Sequence, residues 1–308
     1  MTNTITGDPG PGLSEAASVD ALRHADLLLR SQSQADRHID IEITGDVDAI
    51  LGTLTAQGPY AYTVNPTVES GRLRQHLVQT RTGIRQCYVD LHTGMGLRDW
   101  HSLSRVLAPW YTFHAGWATV EFMAEIAVRG ATVSPGDLMD FEALVLFPTM
   151  GGTGITGELF WARVTEGASP RDGQSRHDLL RDLLADHDAY LDALGSADIE
   201  GVLAALAPDG QVGIRDYTSD TPGMTVELDG QEQLRAHLAD FYGRYVPERI
   251  DLLQRHVEDW FVFAETRWTV ASVADGSRFT FLVADYAEIG PDRKVIARLG
   301  HGTDPVPV

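Results

Sequence analysis

The first part of the chain carries apolar residues at the three- and four-residue intervals of an amphipathic helix: Leu22, Ala25, Leu28 and Leu29. Further helices are predicted at residues 47–54 and 73–79. Aromatic and β-branched residues dominate after these helices, and they predict strands at residues 105–113, 117–128, 141–147 and 157–164. This half of the chain therefore places its helices first and its sheet last.

The second half repeats that order. Helices are predicted at residues 177–194, 199–206 and 231–242. Strands are predicted at residues 212–217, 250–257, 278–289 and 294–299, and a hairpin at residues 259–274. Helices that pack on a curved antiparallel sheet define an α+β fold, which this chain is predicted to contain twice.

Two pairs of segments carry the repeat. Residues 45–51 (GDVDAIL) resemble residues 197–203 (ADIEGVL), and residues 110–113 (WYTF) resemble residues 260–263 (WFVF). The spacing of about 150 residues is the size of one domain rather than of a solenoid repeat. The predicted organisation is a disordered segment at 1–14, a first domain at 15–165, a polar linker at 166–175 and a second domain at 176–303.

Composition excludes several classes of partner. The chain has 24 Lys and Arg against 44 Asp and Glu, and its formal net charge of -20 repels nucleic acids and anionic membranes. Cys87 is the only cysteine, so no intrachain disulfide can form. Neither a signal peptide nor a membrane span is predicted, and the expected location is the cytoplasm. No histidine has two further ligands at a recognisable spacing, so no metal is expected.

The order of these segments, together with a final meander through residues 292–296 (DRKVI), resembles the nuclear transport factor 2-like superfamily. That superfamily includes SnoaL-like polyketide cyclases, ketosteroid isomerases and the epoxide hydrolases of polyether biosynthesis. The resemblance covers residues 176–303 clearly and residues 20–165 more weakly. It implies two tandem cone-shaped domains, a small hydrophobic ligand and no cofactor. It also implies an intramolecular pseudo-dimer of the two domains, with further association left open.

Within the second domain, three residues occupy the positions of the ketosteroid isomerase site: Tyr190, Asp216 and Asp285. The resemblance implies that Asp216 is the base that takes a proton next to a carbonyl, and that Tyr190 and a protonated Asp285 stabilise the resulting oxyanion. The protonated aspartate of ketosteroid isomerase is a known example of this arrangement. Each residue also has a structural interpretation, because Asp216 suits the start of a turn and Tyr190 suits a helix face.

The resulting hypothesis is a cofactor-independent isomerase or cyclase that acts by proton transfer on a polyketide- or steroid-like carbonyl compound. The first alternative is a polyether-type epoxide hydrolase or cyclase that uses Asp216 and Asp251 as its acid pair. The second alternative is a ligand-binding or scaffolding protein without catalysis. Alignment of the two copies puts His38 at the position of Tyr190 and Val145 at that of Asp285, so the same ketone chemistry is not expected in the first domain.

Overall fold

The computed structural model describes residues 15–63, 67–69, 72–74, 76–128, 131–149, 154–171 and 173–308, and the segment predicted to be disordered, residues 1–14, lies outside them. We call α1 to β10 the first unit and α4 to β17 the second unit. The elements of the first unit are α1 (Glu15–Glu42), α2 (Val47–Leu51), β1 (Ala61–Thr63), β2 (Thr67–Glu69), β3 (Arg72–Arg74), β4 (Leu77–Val78), α3 (Arg81–Gly94), β5 (Met95–Ala108), β6 (Tyr111–Phe122), β7 (Ile126–Val128), β8 (Ala131–Val133), β9 (Leu138–Pro148) and β10 (Gly157–Ala162). The elements of the second unit are α4 (Arg176–Gly195), α5 (Ile199–Ala205), β11 (Leu206–Arg215), β12 (Thr225–Asp229), α6 (Gly230–Arg244), β13 (Tyr245–Val257), β14 (Phe261–Ser272), β15 (Arg278–Ile289), β16 (Val295–Gly302) and β17 (Val306–Pro307).

Each unit is built on one large sheet with helices packed against it, which confirms the predicted α+β class. The strand order is β4-β1-β10-β9-β6-β5 in the first sheet and β12-β11-β16-β15-β14-β13 in the second. Most neighbours are antiparallel, but β1 pairs with β10 in parallel, and β11 pairs with β16 in parallel. Both sheets are therefore mixed, and the two units share the same strand order. No helix of the described residues is long and apolar enough to cross a membrane.

The repeated GD/AD dipeptides form the same local structure in both units. Gly45 and Ala197 have positive φ angles of 72° and 56°, which places both in the left-handed region. The next residue caps a helix in each case, because Asp46 accepts a hydrogen bond from the Ala49 amide and Asp198 accepts one from the Gly201 amide, both at 3.0 Å. The repeat in the sequence is thus a repeated turn and helix start.

The prediction of a helix at residues 73–79 is wrong. Residues 72–74 and 77–78 are short strands, and the helix begins at Arg81. The Thr80 hydroxyl accepts a hydrogen bond from the Gly83 amide at 3.1 Å and so starts α3 at Arg81, eight residues after the predicted start at residue 73. Val78 pairs with Tyr62 of β1, and this tertiary pairing outweighs the local helical pattern.

Three other sequence predictions need correction. The strands predicted at 105–113 and 117–128 are a hairpin of β5 and β6, with its turn at Pro109 and Trp110, and residues 261–272 form one strand rather than a hairpin. The apolar stripe predicted for α1 is largely exposed, since Leu22 is 72% and Leu29 is 66% accessible. The helix instead contributes its last turns to the core, where Ala35 and Ile39 are buried.

The two sheets pack against each other through one shared apolar cluster. Phe113 stacks on Phe263 with ring centroids 4.2 Å apart, and these two residues are equivalent in the repeat. Tyr111 contacts Phe263 while Phe261 contacts Phe113, so the contacts across the interface are reciprocal. Reciprocal contacts between equivalent residues are the pattern of a two-fold symmetric interface.

Candidate active site in the second unit

An apolar cavity lies in the second unit between α4, α5 and α6 on one side and the sheet on the other. Aliphatic side chains from the three helices and from β14 line its walls: Leu183, Val202, Leu234 and Val262. The polar side chains that line the cavity are Asp186, His187, Tyr190, Asp285, Arg293 and Arg298, and Asp186 and Arg293 pair with each other. A small, mostly apolar molecule with a polar group would match this distribution.

Three of these polar residues form a connected group. Arg298 Nη2 donates to Asp285 Oδ2 at 2.6 Å, and Arg298 Nη1 donates to the hydroxyl oxygen of Tyr190. The Arg298 guanidinium also lies 5.2 Å from the centroid of the Tyr190 ring. The sequence-predicted residues Tyr190 and Asp285 are therefore brought together, with Arg298 between them.

Strand register explains how Arg298 reaches Asp285. Arg298 of β16 pairs with Ala287 of β15, and Ala287 lies on the same face as Asp285 because strand residues alternate between faces. Gly300 pairs with Asp285 directly, and a Cβ atom at Gly300 would lie only 2.5 Å from the Asp285 Cβ. The glycine leaves the space that the aspartate side chain occupies.

The charges of this group stabilise one another. Asp285 is only 8% accessible, and the side chains of Asp285 and Arg298 expose 12% and 13% of their surface. Burial alone would lower the pKa of Arg298, but the adjacent Asp285 charge holds that pKa above its ordinary value. Arg298 is the counter-charge that a carboxylate at Asp285 would need, whereas the resemblance implied a protonated acid at this position. The catalytic role of Asp285 stays a prediction.

The Tyr190 phenol keeps its proton and can donate it to a ligand. Burial raises the pKa of the Tyr190 phenol above its ordinary value, although the Arg298 charge opposes that rise. Because arginine can only donate, the Tyr190 oxygen accepts from Arg298, and no acceptor for the Tyr190 proton is present among the described side chains. The buried Arg298 Nε group also has no hydrogen-bond partner there. The cavity thus offers two donors to a ligand.

His187 is a neutral member of the same cavity. Burial lowers the pKa of His187 to about 4, against the opposing effect of the Asp285 charge. Arg255 Nη1 donates to His187 Nδ1 at 3.2 Å, so the remaining ring proton of the neutral form is on Nε2. His187 is therefore a neutral hydrogen-bond donor near pH 7.

This pKa shift predicts a pH-dependent stability. The unfolded chain binds a proton at His187 near pH 6.5, whereas the folded chain binds one only near pH 4. The contribution of neutral His187 to the free energy of unfolding is therefore complete above pH 6.5 and is lost as the pH falls towards 4. We expect His187→Asn to flatten the dependence over this range by about 1–3 kcal/mol, measured by urea unfolding at several pH values. His114 and His301 titrate in the same direction, which is why the comparison with the variant is needed. An unchanged pH profile in the variant would contradict the expectation.

Asp216 lies away from this polar group. It follows the end of β11, and its Oδ1 accepts hydrogen bonds from the amide of Thr218 at 2.8 Å and from the hydroxyl of Thr218 at 2.6 Å. This is a turn arrangement, and Asp216 does not line the cavity that holds Tyr190 and Asp285. Its role as the base stays a prediction.

The alternative acid pair is not brought together either. Asp251 is on β13, and β16, β15 and β14 lie between β13 and β11 in the sheet. Neighbouring strands are about 4.8 Å apart, so the two strands are separated by about 19 Å along the sheet. Asp251 pairs with Arg249 at 2.6 Å, and Asp216 is occupied by its turn.

Sequence reasoning missed Arg298 and His187. A signal for Arg298 exists, because it is a charged residue within the apolar strand β16, and a buried charge is costly unless it is paired. Asp285 had been selected by the resemblance instead. His187 has no comparable signal, since its helix α4 carries many exposed polar residues.

The first unit also contains an apolar cavity with polar groups in its lining, but with other residues. Val145 is buried at the position of Asp285, so no carboxylate stands there. His38, Glu42 and Glu158 lie close together instead, and they form a group that could hold a metal ion.

A mixed sheet with helices over an apolar cavity defines the class of this protein: an α+β domain with an internal cavity, present in two units. Residues 187–297 match the model of the SnoaL-like domain. The second unit is therefore similar to SnoaL-like domains.

Comparison with solved structures finds proteins of low identity that align with about two fifths of this chain. An LEH-like epoxide hydrolase from M. tuberculosis is 18% identical, with 40% of this chain and 84% of that chain covered and a TM-score of 0.32. A ketosteroid isomerase-like protein from Erwinia carotovora atroseptica is 16% identical, with 41% and 97% covered and a TM-score of 0.33. An NTF2-like protein of unknown function from Burkholderia pseudomallei is 18% identical, with 39% and 88% covered and a TM-score of 0.34. Among curated protein sequences, none shows significant similarity to the chain.

Proposed function

We propose that the second unit is a cofactor-independent isomerase or cyclase that moves a proton on an apolar carbonyl compound, such as a polyketide- or steroid-like molecule. The observation that carries the proposal is the group formed by Tyr190, Arg298 and Asp285 in the lining of an apolar cavity. Such a reaction needs a base, donors for the developing oxyanion, and walls that exclude water.

The geometry favours a distribution of roles that differs from the one that the sequence resemblance implied. Asp285 is ion-paired as a carboxylate, and its Oδ1 atom is free of the Arg298 bond, so this atom is suited to accept the proton. The free Tyr190 proton and the Arg298 guanidinium are suited to stabilise the oxyanion. Asp216 remains the alternative base, and the experiment below separates the two.

The test is proton exchange in D2O on cyclic ketones of increasing size, starting from cyclohex-3-enone, followed by NMR. We expect deuterium to enter next to the carbonyl with the wild type and not with Asp285→Asn. Asp251→Asn is the matched control, because Asp251 is an aspartate of the same sheet outside the cavity. If Asp216→Asn abolishes exchange and Asp285→Asn does not, the base is Asp216. If no ketone exchanges, the proton-transfer proposal fails.

An epoxide hydrolase or cyclase is the second candidate, and one specific observation favours it. A carboxylate that can orient a water or hydroxyl nucleophile lies in the same group as a phenol whose proton is free to reach an epoxide oxygen. Diol formation from cyclohexene oxide, without exchange on ketones, would select this function. Undiminished ligand binding by Asp285→Asn with no turnover of either compound class in the wild type would select a non-catalytic protein.

We also propose that the two units act as an intramolecular pseudo-dimer. The reciprocal contacts of Phe113 and Phe263 across the shared cluster support this view. Because the sheet of each unit already packs on the other unit, we expect light scattering to give the mass of a single chain. A stable dimer of chains would instead require a further interface.

A further inference from the structure

Two buried carboxyl groups line the cavity of the first unit, and a buried imidazole lies beside them. His38, Glu42 and Glu158 are 0%, 7% and 9% accessible, and both glutamates line the cavity. One ligand-type atom from each of the three residues lies within 4.8 Å of the other two. His38 and Glu42 are one turn apart on α1, so they share a helix face, and Glu158 reaches them from β10.

The orientation of His38 leaves one nitrogen as a potential metal ligand. The Thr53 hydroxyl donates to the Ile50 carbonyl at 2.7 Å, so its oxygen accepts from His38 Nδ1 at 2.5 Å. The proton of a neutral imidazole is thereby placed on Nδ1, and the lone pair is on Nε2. This nitrogen is 3.3 Å from Glu158 Oε2 and 3.0 Å from the Tyr88 hydroxyl. In metal sites, the ring nitrogen of a histidine that does not bind the metal regularly donates a hydrogen bond to another protein group. Thr53 would be that group for Nδ1 of His38.

The two carboxyl groups have no lysine or arginine as a counter-charge in the described part of the chain, and His38 is the basic group beside them. Glu158 accepts a hydrogen bond from Tyr88, and neither Glu42 nor Glu158 forms an ion pair there with a lysine or arginine. Two carboxylates in apolar surroundings are costly unless protons or a cation compensate them. A divalent cation would neutralise both at once.

The first unit carries a carboxyl group at the position where the second unit carries an arginine. In the first sheet, Phe113 of β6 pairs with Leu146 of β9, which pairs with Leu159 of β10. In the second sheet, the equivalent Phe263 of β14 pairs with Tyr286 of β15, which pairs with Leu299 of β16. By this register Glu158 stands at the position of Arg298. The second unit therefore balances its buried carboxylate with its own arginine, whereas the first unit carries another carboxylate at that position.

An independent observation points to a ligand in this cavity. Tyr62 lines the cavity and is 2% accessible, yet its hydroxyl group has no hydrogen-bond partner among the described residues. The nearby Tyr88 hydroxyl donates its own proton to Glu158. A water molecule bound to a cation would supply the missing partner of Tyr62.

We propose that His38, Glu42 and Glu158 bind one divalent cation at the first-unit cavity. One imidazole nitrogen and two carboxylates suit Zn²⁺, Mn²⁺, Fe²⁺ or Co²⁺ rather than a soft ion that prefers thiolates. Three protein ligands leave coordination positions open to the cavity, where a small oxygen-bearing ligand can bind. This inference is independent of the function proposed for the second unit.

The test is metal binding by untagged protein after treatment with a chelator. Zn²⁺, Mn²⁺ and Co²⁺ are titrated separately by calorimetry, and Co²⁺ is also followed by its visible absorbance. We expect one equivalent per chain for at least one of these ions, and a loss of affinity on the order of 100-fold or more in Glu42→Gln and in His38→Gln. Glu142→Gln is the matched control, because Glu142 lies on the adjacent strand β9 and pairs with Arg163 outside the group.

Folding of each variant is checked by circular dichroism and by its thermal midpoint. A rise of the midpoint with added metal in the wild type and in Glu142→Gln, but not in folded Glu42→Gln, supports the site. Binding of less than about a tenth of an equivalent of all three ions by folded wild type, at concentrations that saturate ordinary protein sites, would overturn the proposal. Unchanged affinity in Glu42→Gln and His38→Gln would overturn it as well.

Discussion

Replacing Asp285 with asparagine is expected to reduce turnover of a ketone substrate by about 10²- to 10⁴-fold. The amide keeps the size of the side chain but cannot take a proton. The carboxylate is 8% accessible and adjoins the Tyr190 and Arg298 donors, so no other described group of this cavity offers a free anionic oxygen in the same place. The measurement is kcat and KM for the ketone that gives the fastest exchange with the wild type.

A loss confined to kcat is the expected pattern, because the base acts in the transition state. Since the variant also leaves Arg298 without its counter-charge, rates are normalised to the folded fraction from circular dichroism. Asp251→Asn on β13 provides the control for a carboxylate-to-amide change in this sheet. Turnover by Asp285→Asn within a factor of two of the wild type would remove Asp285 from the proposed mechanism.

Replacing Arg298 with methionine is expected to lower the free energy of unfolding by about 3–5 kcal/mol. Arg298 and Asp285 are 2.6 Å apart and nearly inaccessible, so the change leaves a buried carboxylate without compensation. Urea unfolding near pH 7 measures the effect.

Two further variants separate this cause from lost packing. Arg249→Met removes one partner of the exposed pair with Asp251, and a change of only about 0–1 kcal/mol is expected there because Arg249 is 72% accessible. The double variant Arg298→Met with Asp285→Leu should regain most of the loss, since an apolar pair needs no compensation. Equal losses in Arg298→Met and Arg249→Met would contradict the assignment of a buried ion pair.

The fold of the second unit could be predicted well from local signals. The helices at 177–194, 199–206 and 231–242 agree with α4, α5 and α6 to within about two residues, a common uncertainty at helix ends. The first unit was harder, because residues 73–79 have a helical pattern yet form short strands. Val78 pairs with β1, and that pairing is formed by residues distant in the chain.

The site could be predicted only in part. Tyr190 and Asp285 were selected by resemblance, and they do share a cavity. Asp216 does not line that cavity, because the chain turns away after β11 and Thr218 occupies its carboxylate. The expectation that metal ligands would be recognisable by spacing also missed the group of His38, Glu42 and Glu158, in which one member is 120 positions from His38.

The sequence by itself determined the local features of this protein: the repeat, the capping aspartates Asp46 and Asp198, and the alternation of helices and strands in each half. These features depend on interactions over a few residues, which spacing and residue type describe. Only the tertiary structure decided which polar groups meet, since Tyr190 reaches Arg298 across 108 positions and Asp285 reaches it through the register of β15 and β16. A shift of that register by one residue would turn Arg298 to the other face of the sheet.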